Sequence, residues 1–146
     1  MDLEDVERIA GQDHHLAVVS TARRDGSIQA SVVNAGVLPH PVSGRRVIGF
    51  VTYGRAKLAN LRQRPRATVV FRSGWQWAAV EGPCDLVGPD DPLDGVPSSA
   101  LPSLLREVFR AAGGTHSDWD EYDRVMREER RTAVLIQPDR IYANRS

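Results

Sequence analysis

Apolar positions along this chain change their spacing several times, and each change marks an element. Leu3, Val6, Ile9 and Ala10 recur at three- and four-residue steps, which predicts an amphipathic helix over 2–11 that Gly11 ends. Residues 15–22 and 27–38 are β-branched runs and read as two strands. Arg23-Arg24-Asp25-Gly26 between them is a hairpin turn, because glycine accepts the positive φ that such turns need. A loop carrying Pro39, Pro41, Ser43 and Gly44 leads to a continuous apolar run, a buried strand over 46–53. Residues 55–63 read as a short helix closed by Pro65, and 66–72 and 75–87 as strands joined at Ser73-Gly74. The polar Pro/Gly segment 88–98 is the expected mobile loop. Helices follow over 101–112 and 118–130, the second with Ser117 as its cap and Asp120 at the third position of an approximate capping box. Short strands over 132–136 and 140–143 finish the chain. Strands that mostly neighbour one another in sequence, joined by hairpin turns, predict an antiparallel barrel with peripheral helices rather than a βαβ sheet.

Length and composition narrow the class. The 146 residues suit one domain, 1–146, and a chain of this size buries about two thirds of its unfolded surface without a disulfide or metal staple. No apolar run approaches the ~20 residues of a membrane-spanning helix. The acidic start MDLEDVERIA resembles neither a signal peptide nor a transit peptide, so a cytoplasmic protein with no membrane insertion is expected. Cys84 is the lone cysteine, which excludes an intrachain disulfide and any CxxC pair. Asn144-Arg145-Ser146 matches a glycosylation triplet by chance, since no export signal accompanies it. His14, His15, His40 and His116 lack metal-ligand spacing, and neighbours on a strand point to opposite faces, so no metal is expected. There is no GxGxxG, P-loop, HExxH or GxSxG, and Ser20, Ser31 and Ser73 have no nucleophile context. If the chain is an enzyme, its reactive group comes from a cofactor, and no side chain is assigned a catalytic role.

The net charge of zero conceals an asymmetry. Residues 26–80 contain no carboxylate and eight cations: Arg45, Arg46, Arg55, Lys57, Arg62, Arg64, Arg66 and Arg72. The remainder therefore carries a net charge of minus eight. Such a stretch points to a surface that meets an anion, unless the arginines pair with acids from elsewhere in the chain. Lys57 is the one lysine among 18 arginines, and a compact ammonium reaches a phosphate as a point charge. It lies with Arg55 in the first turn of the 55–63 helix, where the dipole disfavours cations and favours anions, so a bound anion would account for both. No nucleic-acid-binding module is visible, and nucleic acid is not an expected partner.

The segment Arg55-Ala56-Lys57-x-x-Asn60-Leu61-Arg62-x-x-Pro65-Arg66-Ala67 resembles the signature of the split β-barrel flavin and deazaflavin oxidoreductases of the pyridoxamine 5'-phosphate oxidase-like superfamily. The closest resemblance is to the coenzyme F420-dependent branch found in actinobacteria. Gly74-Trp75-Gln76-Trp77-Ala78-Ala79-Val80-Glu81-Gly82, His116-Ser117-Asp118-Trp119-Asp120-Glu121-Tyr122 and the Asp25-Gly26 hairpin extend the likeness over roughly residues 3–143. The resemblance implies an all-β or α+β fold, a Greek-key-like antiparallel split barrel of the FMN-binding type. It also implies a homodimer with two cofactor sites at the subunit interface. Arg55 and Lys57 would hold the cofactor phosphate, with Ala56 between them and Asn60 one helical turn on. Ser31, Val33, Asn34, Val51 and Thr52 would line the ring, and Trp75 and Trp77 would approach from the neighbouring subunit.

The implied reaction is hydride transfer from reduced F420 to an electron-poor double bond of a small organic molecule. The carboxylate-rich F420 tail would lie along a groove of Arg45, Arg46, Arg62 and Arg64. The alternatives are an FMN-dependent oxidase or reductase and a non-catalytic carrier of F420 or another small ligand. The short chain and its C-terminal residues 141–146 lack the Arg-rich substrate segment expected of a pyridoxamine phosphate oxidase itself. The substrate pocket is expected to lie against segment 88–98 and the two late helices.

Overall fold

The computed structural model describes residues 1–144; the last two positions of the glycosylation-like triplet lie outside the described residues. Helix α1 (Leu3–Gly11) opens on Asp2, whose carboxylate accepts the Asp5 N–H while the Asp5 carboxylate accepts the Asp2 N–H. This reciprocal cap satisfies two donors that would otherwise be orphaned. Strands β1 (Leu16–Ala22) and β2 (Ile28–Asn34) form the expected hairpin. Gly26 has φ of 87°, and the Asp25 carboxylate accepts both the backbone N–H and the hydroxyl of Ser27.

The single strand expected over 27–38 is two. β2 stops at Asn34, and β3 (Gly36–Pro39) starts after Ala35. The chain changes partners there: β2 pairs with β1, whereas β3 pairs with β4 (Arg46–Thr52). Gly36 permits the crossing, because a Cβ at that position would overlap the Ala111 carbonyl oxygen at the end of α3 (Leu101–Ala111).

Four further strands complete the sheet: β5 (Arg66–Ser73), β6 (Gln76–Val87), β7 (Thr132–Ile136) and β8 (Arg140–Ala143). Every pairing is antiparallel, in the order β2-β1-β5-β6-β7-β4-β3, with β8 added on β6. The twelve-residue β6 is the spine. Its residues 76–83 pair with β5 and residues 84–87 with β7. β2 and β3 end the path without pairing to each other, so the barrel is split, as the resemblance implies.

The barrel interior is filled by Val19, Phe50, Val69, Phe71 and Val80, with Val6 and Ile9 of α1 closing it. β4 and β7 are buried on both faces. Their outer residues Val47 and Leu135 pack with Leu104, Leu105 and Val108 of α3 and Tyr122 of α4 (Trp119–Glu128). This double burial explains the unbroken apolar runs in their sequences. On the outer face of β1 and β2, Leu16, Val18, Ile28 and Val32 stay exposed, Val32 by 65%.

Two local expectations are corrected. The cap of α4 is Asp118, not Ser117: its carboxylate accepts the Glu121 N–H at 3.2 Å, placing Glu121 rather than Asp120 at the third position. Segment 88–98 is pinned rather than loose. Bridges join Gly88 to Asp91 and Leu93 to Val96, Asp91 pairs with Arg62, Asp90 pairs with Arg130, and Leu93 and Val96 pack on the outer core. Its prolines and glycines build tight turns, which are order rather than mobility.

Candidate functional site

A cavity of about 960 Å³ lies where the sheet meets the late helices. One side is formed by Val32, Val33 and Asn34 at the end of β2, Val51 and Thr52 at the end of β4, and the first turn of α2 (Arg55–Gln63). The other side is formed by the end of α3, the turn at Gly113-Gly114, and one face of α4. No carboxylate is among the lining residues.

The α2 side is prepared for an anion. Gly54 is the N-cap and has no side chain to satisfy the first-turn N–H groups, and no acid lies in that turn. Thr52 Oγ1 accepts the Gly54 N–H at 3.1 Å and holds the entry to the helix. Lys57 is only 9% exposed and lines the cavity. Its ammonium lies 5.6 Å from the Phe50 ring centroid and makes no hydrogen bond or ion pair among the described residues. Burial lowers its pKa below that of an ordinary lysine. A nearly buried cation left unpaired beside an open helix N-terminus is a costly arrangement that an incoming anion relieves.

The other residues named from the sequence are distributed unevenly. Val33, Asn34, Val51 and Thr52 line the cavity with Lys57. Arg55 and Ala56 are exposed on the first turn of α2, outside the lining. Ser31 sits two residues before Val33 on the same face of β2. Asn60 is occupied structurally: its amide donates to Thr21 Oγ1 and Gln29 Oε1, tying α2 to β1 and β2. Trp77 lies on β6, edge-on to Tyr142 with centroids 6.1 Å apart. Trp75, in the turn before β6, is 93% exposed.

Three of the four arginines expected to form a basic groove, Arg46, Arg62 and Arg64, have partners within the chain. Arg46 pairs with Glu7 at 3.3 Å, Arg62 with Asp91 at 2.7 Å, and Arg64 donates to the Ala22 carbonyl. Arg66 likewise pairs with Asp139. Three of the eight cations in the carboxylate-free stretch thus pair with acids from outside it, Glu7, Asp91 and Asp139. Segment 88–98 does not border the cavity either, although the late helices do.

The opposite side of the cavity holds residues not expected from the sequence. Val108, Phe109, Tyr122 and Met126 make an apolar wall. The Tyr122 hydroxyl donates to the Leu105 carbonyl at 2.9 Å, and burial pushes its pKa up to about 12, so it stays protonated. His116 Nδ1 accepts the Asp118 N–H at 3.0 Å, which leaves the proton of the neutral ring on Nε2. His14 and His15 are both in the left-handed region, with φ of 57° and 58°. The Asn34 amide, donating to the His14 carbonyl, holds this strained entry to β1 at the cavity rim. Arg131 completes the wall. His116 and Tyr122 fall in the HSDWDEY segment singled out from the sequence; Arg131, in a run of surface charges, carries no local signal.

Solved structures share this architecture. A conserved hypothetical protein from Mycobacterium tuberculosis matches with TM-score 0.67 and 18% identity, over 98% of this chain and 84% of that one. A pyridoxamine 5'-phosphate oxidase-related, FMN-binding protein from Nostoc punctiforme matches with TM-score 0.69 and 12% identity, over 96% and 81%. A protein described as an F420 reductase matches with TM-score 0.62 and 16% identity, over 97% of both chains. At these identities the likeness is one of fold. The sequence itself matches the family model described as pyridoxamine 5'-phosphate oxidase over residues 4–145, and with the split barrel and its cavity this places the chain in the pyridoxamine 5'-phosphate oxidase family.

Proposed function

We propose that this protein is an F420-dependent reductase, passing hydride from the reduced deazaflavin to an electron-poor double bond of a small organic substrate. The observation that carries this is Lys57: a nearly buried cation, unpaired among the described residues, beside the uncapped first turn of α2 in a cavity whose described lining holds no carboxylate. Lys57 and the α2 N–H groups would bind the cofactor phosphate, with Arg55 at its outer side. Val33, Asn34, Val51 and Thr52 would orient the ring. The cofactor would supply the hydride, while the apolar wall excludes water and holds the acceptor in place.

The exposed face of β1 and β2 supports a homodimer, since Leu16, Val18, Ile28 and Val32 form an apolar patch on an edge of the sheet. In this arrangement Trp75 and Trp77 of the partner subunit would approach the cavity. Val32→Asp is expected to leave the fold intact and convert the protein to a monomer in analytical ultracentrifugation. A monomeric wild-type protein would remove the dimer from the proposal.

Tryptophan-fluorescence titration with F420 and, separately, FMN tests the cofactor. F420 is expected to bind at micromolar concentration or tighter, FMN more weakly, and both less tightly as salt rises. Preferential FMN binding would replace this reading with an FMN-dependent oxidase or reductase. Tight F420 binding without turnover of any acceptor would leave a carrier. Binding of neither overturns the proposal.

A further inference from the structure

The part of the cavity between Tyr53 and α4 is organised around Arg131. Strand register sets Thr132 of β7 opposite Thr52 of β4, so the residues just outside the pair, Arg131 and Tyr53, are neighbours. The guanidinium lies 4.0 Å from the Tyr53 ring centroid, close enough for a cation–π contact. Its Nε donates to Glu129 Oε1 at 2.9 Å, and Nη2 lies 2.7 Å from the same oxygen in an ion pair. A guanidinium carries five N–H groups, so four make no hydrogen bond among the described residues. The side chain is 24% exposed and lines the cavity, whereas Glu129 does not. The wall beside it is apolar and aromatic: Val108, Phe109, Tyr122 and Met126. The chain carries 19 acidic residues, yet none lines this cavity. An anion entering it would therefore meet two lining cations, Lys57 and Arg131, and no lining carboxylate.

We infer that this part of the cavity takes a flat, apolar substrate bearing a carboxylate. The free edge of Arg131 receives the carboxylate, and the apolar body lies against Phe109 and Tyr122. A planar guanidinium fork suits a planar carboxylate, and its stacking on Tyr53 and its Glu129 tether hold that fork in one orientation before the ligand arrives. The assignment of Arg131 to substrate rests on the reading of Lys57 as the cofactor phosphate site.

The test is equilibrium binding of 2-naphthoate and its uncharged isostere 2-naphthamide to the cofactor-free full chain, followed by tryptophan fluorescence. The wild-type protein is expected to prefer naphthoate by about ten-fold or more, a charge-assisted bond's worth. Arg131→Met should abolish that preference and keep naphthamide affinity within about two-fold; Arg131→Lys should retain part of it. The lysine variant keeps the test decisive if the methionine variant does not fold. No preference in the wild-type protein, or a preference that survives in Arg131→Met, overturns the inference. So does a preference lost in Lys57→Met but kept in Arg131→Met or Arg131→Lys, because the anion then sits at Lys57. Arg131→Met should also leave F420 affinity within about two-fold; a large loss, with naphthoate displacing F420, would give Arg131 to the cofactor and overturn its substrate role. The two readings fail separately. If F420 does not bind but the Arg131-dependent preference stands, the carboxylate site survives and the cofactor assignment falls.

Discussion

Replacing Lys57 with methionine is expected to weaken F420 binding by about 30-fold or more and, in the same protein, to stabilise the ligand-free fold by about 1 kcal/mol. The two effects have one cause. Lys57 is nearly buried and unpaired among the described residues, so the folded chain bears a desolvation cost that a bound anion offsets. Methionine keeps the length and the contact with Phe50 while removing the charge. The pH dependence follows from the direction of the shift. Burial lowers the folded pKa below 10.5, so between the folded pKa and 10.5 the unfolded chain binds more protons than the folded one. Stability of the wild-type protein should therefore gain a rising component across that window, and Lys57→Met should lack it. Anion affinity should fall as pH rises through the folded pKa, because the neutral amine no longer attracts phosphate. Denaturant melts across that range, paired with titrations of F420 and inorganic phosphate, measure both. Unchanged affinity in Lys57→Met would sink the assignment of the phosphate site.

Gly36→Ala is expected to destabilise the protein by about 3 kcal/mol, lowering the melting temperature by roughly 10 °C, from a single added methyl group. That methyl would overlap the Ala111 carbonyl oxygen and press on the Ala112 nitrogen. Both are backbone atoms, so no rotamer change relieves the clash. Relief requires the end of α3 to move away from the β2–β3 crossing. Ala112 and Gly113 follow directly and line the cavity, so the displacement should also lower F420 affinity in whatever protein remains folded. Gly11→Ala is the control: a Cβ there meets nothing within 4 Å, and the change should stay within about 0.5 kcal/mol. If Gly36→Ala melts within a degree or two of wild type, the close packing of α3 on the crossing is not what positions the cavity.

The way Lys57 and Gly36 came to matter shows what was legible in the chain. Lys57 stood out because it is a lone lysine at the start of a short helix that follows a buried strand, and all of those features are local. The helix α1, the Asp25-Gly26 hairpin and the strands β4, β5 and β7 are local in the same sense. Their period, β-branched content and turn residues are visible within a window of a few residues. Gly36 was not legible. Nothing near it distinguishes one twelve-residue strand from two, since the break exists to change partner from β1 to β4 and to admit α3. The cap of α4 was missed by one residue because Ser117 and Asp118 are both good caps, and the contact that selects Asp118 is its bond to the Glu121 N–H. Segment 88–98 misled for a similar reason. Its composition describes turns equally well whether they are loose or anchored, and the anchors Arg62 and Arg130 lie far away in sequence.

By itself, then, the sequence determined hairpin-linked strands of an antiparallel barrel, with the split type implied by the family resemblance, together with the position of α2 after a buried strand and the candidacy of Lys57, because hairpin turns, strand runs and helix starts depend largely on neighbouring residues. The tertiary structure decided which cations are available to a ligand and which residues share the cavity. Arg46, Arg62 and Arg66 are neutralised by Glu7, Asp91 and Asp139, while Lys57 is buried without such a partner among the described residues. Arg131 meets Tyr53 only through the β4–β7 register. Charge pairing and cavity walls are set by distances in space between residues far apart in the chain, and those distances exist only once the sheet has closed its long-range pairs.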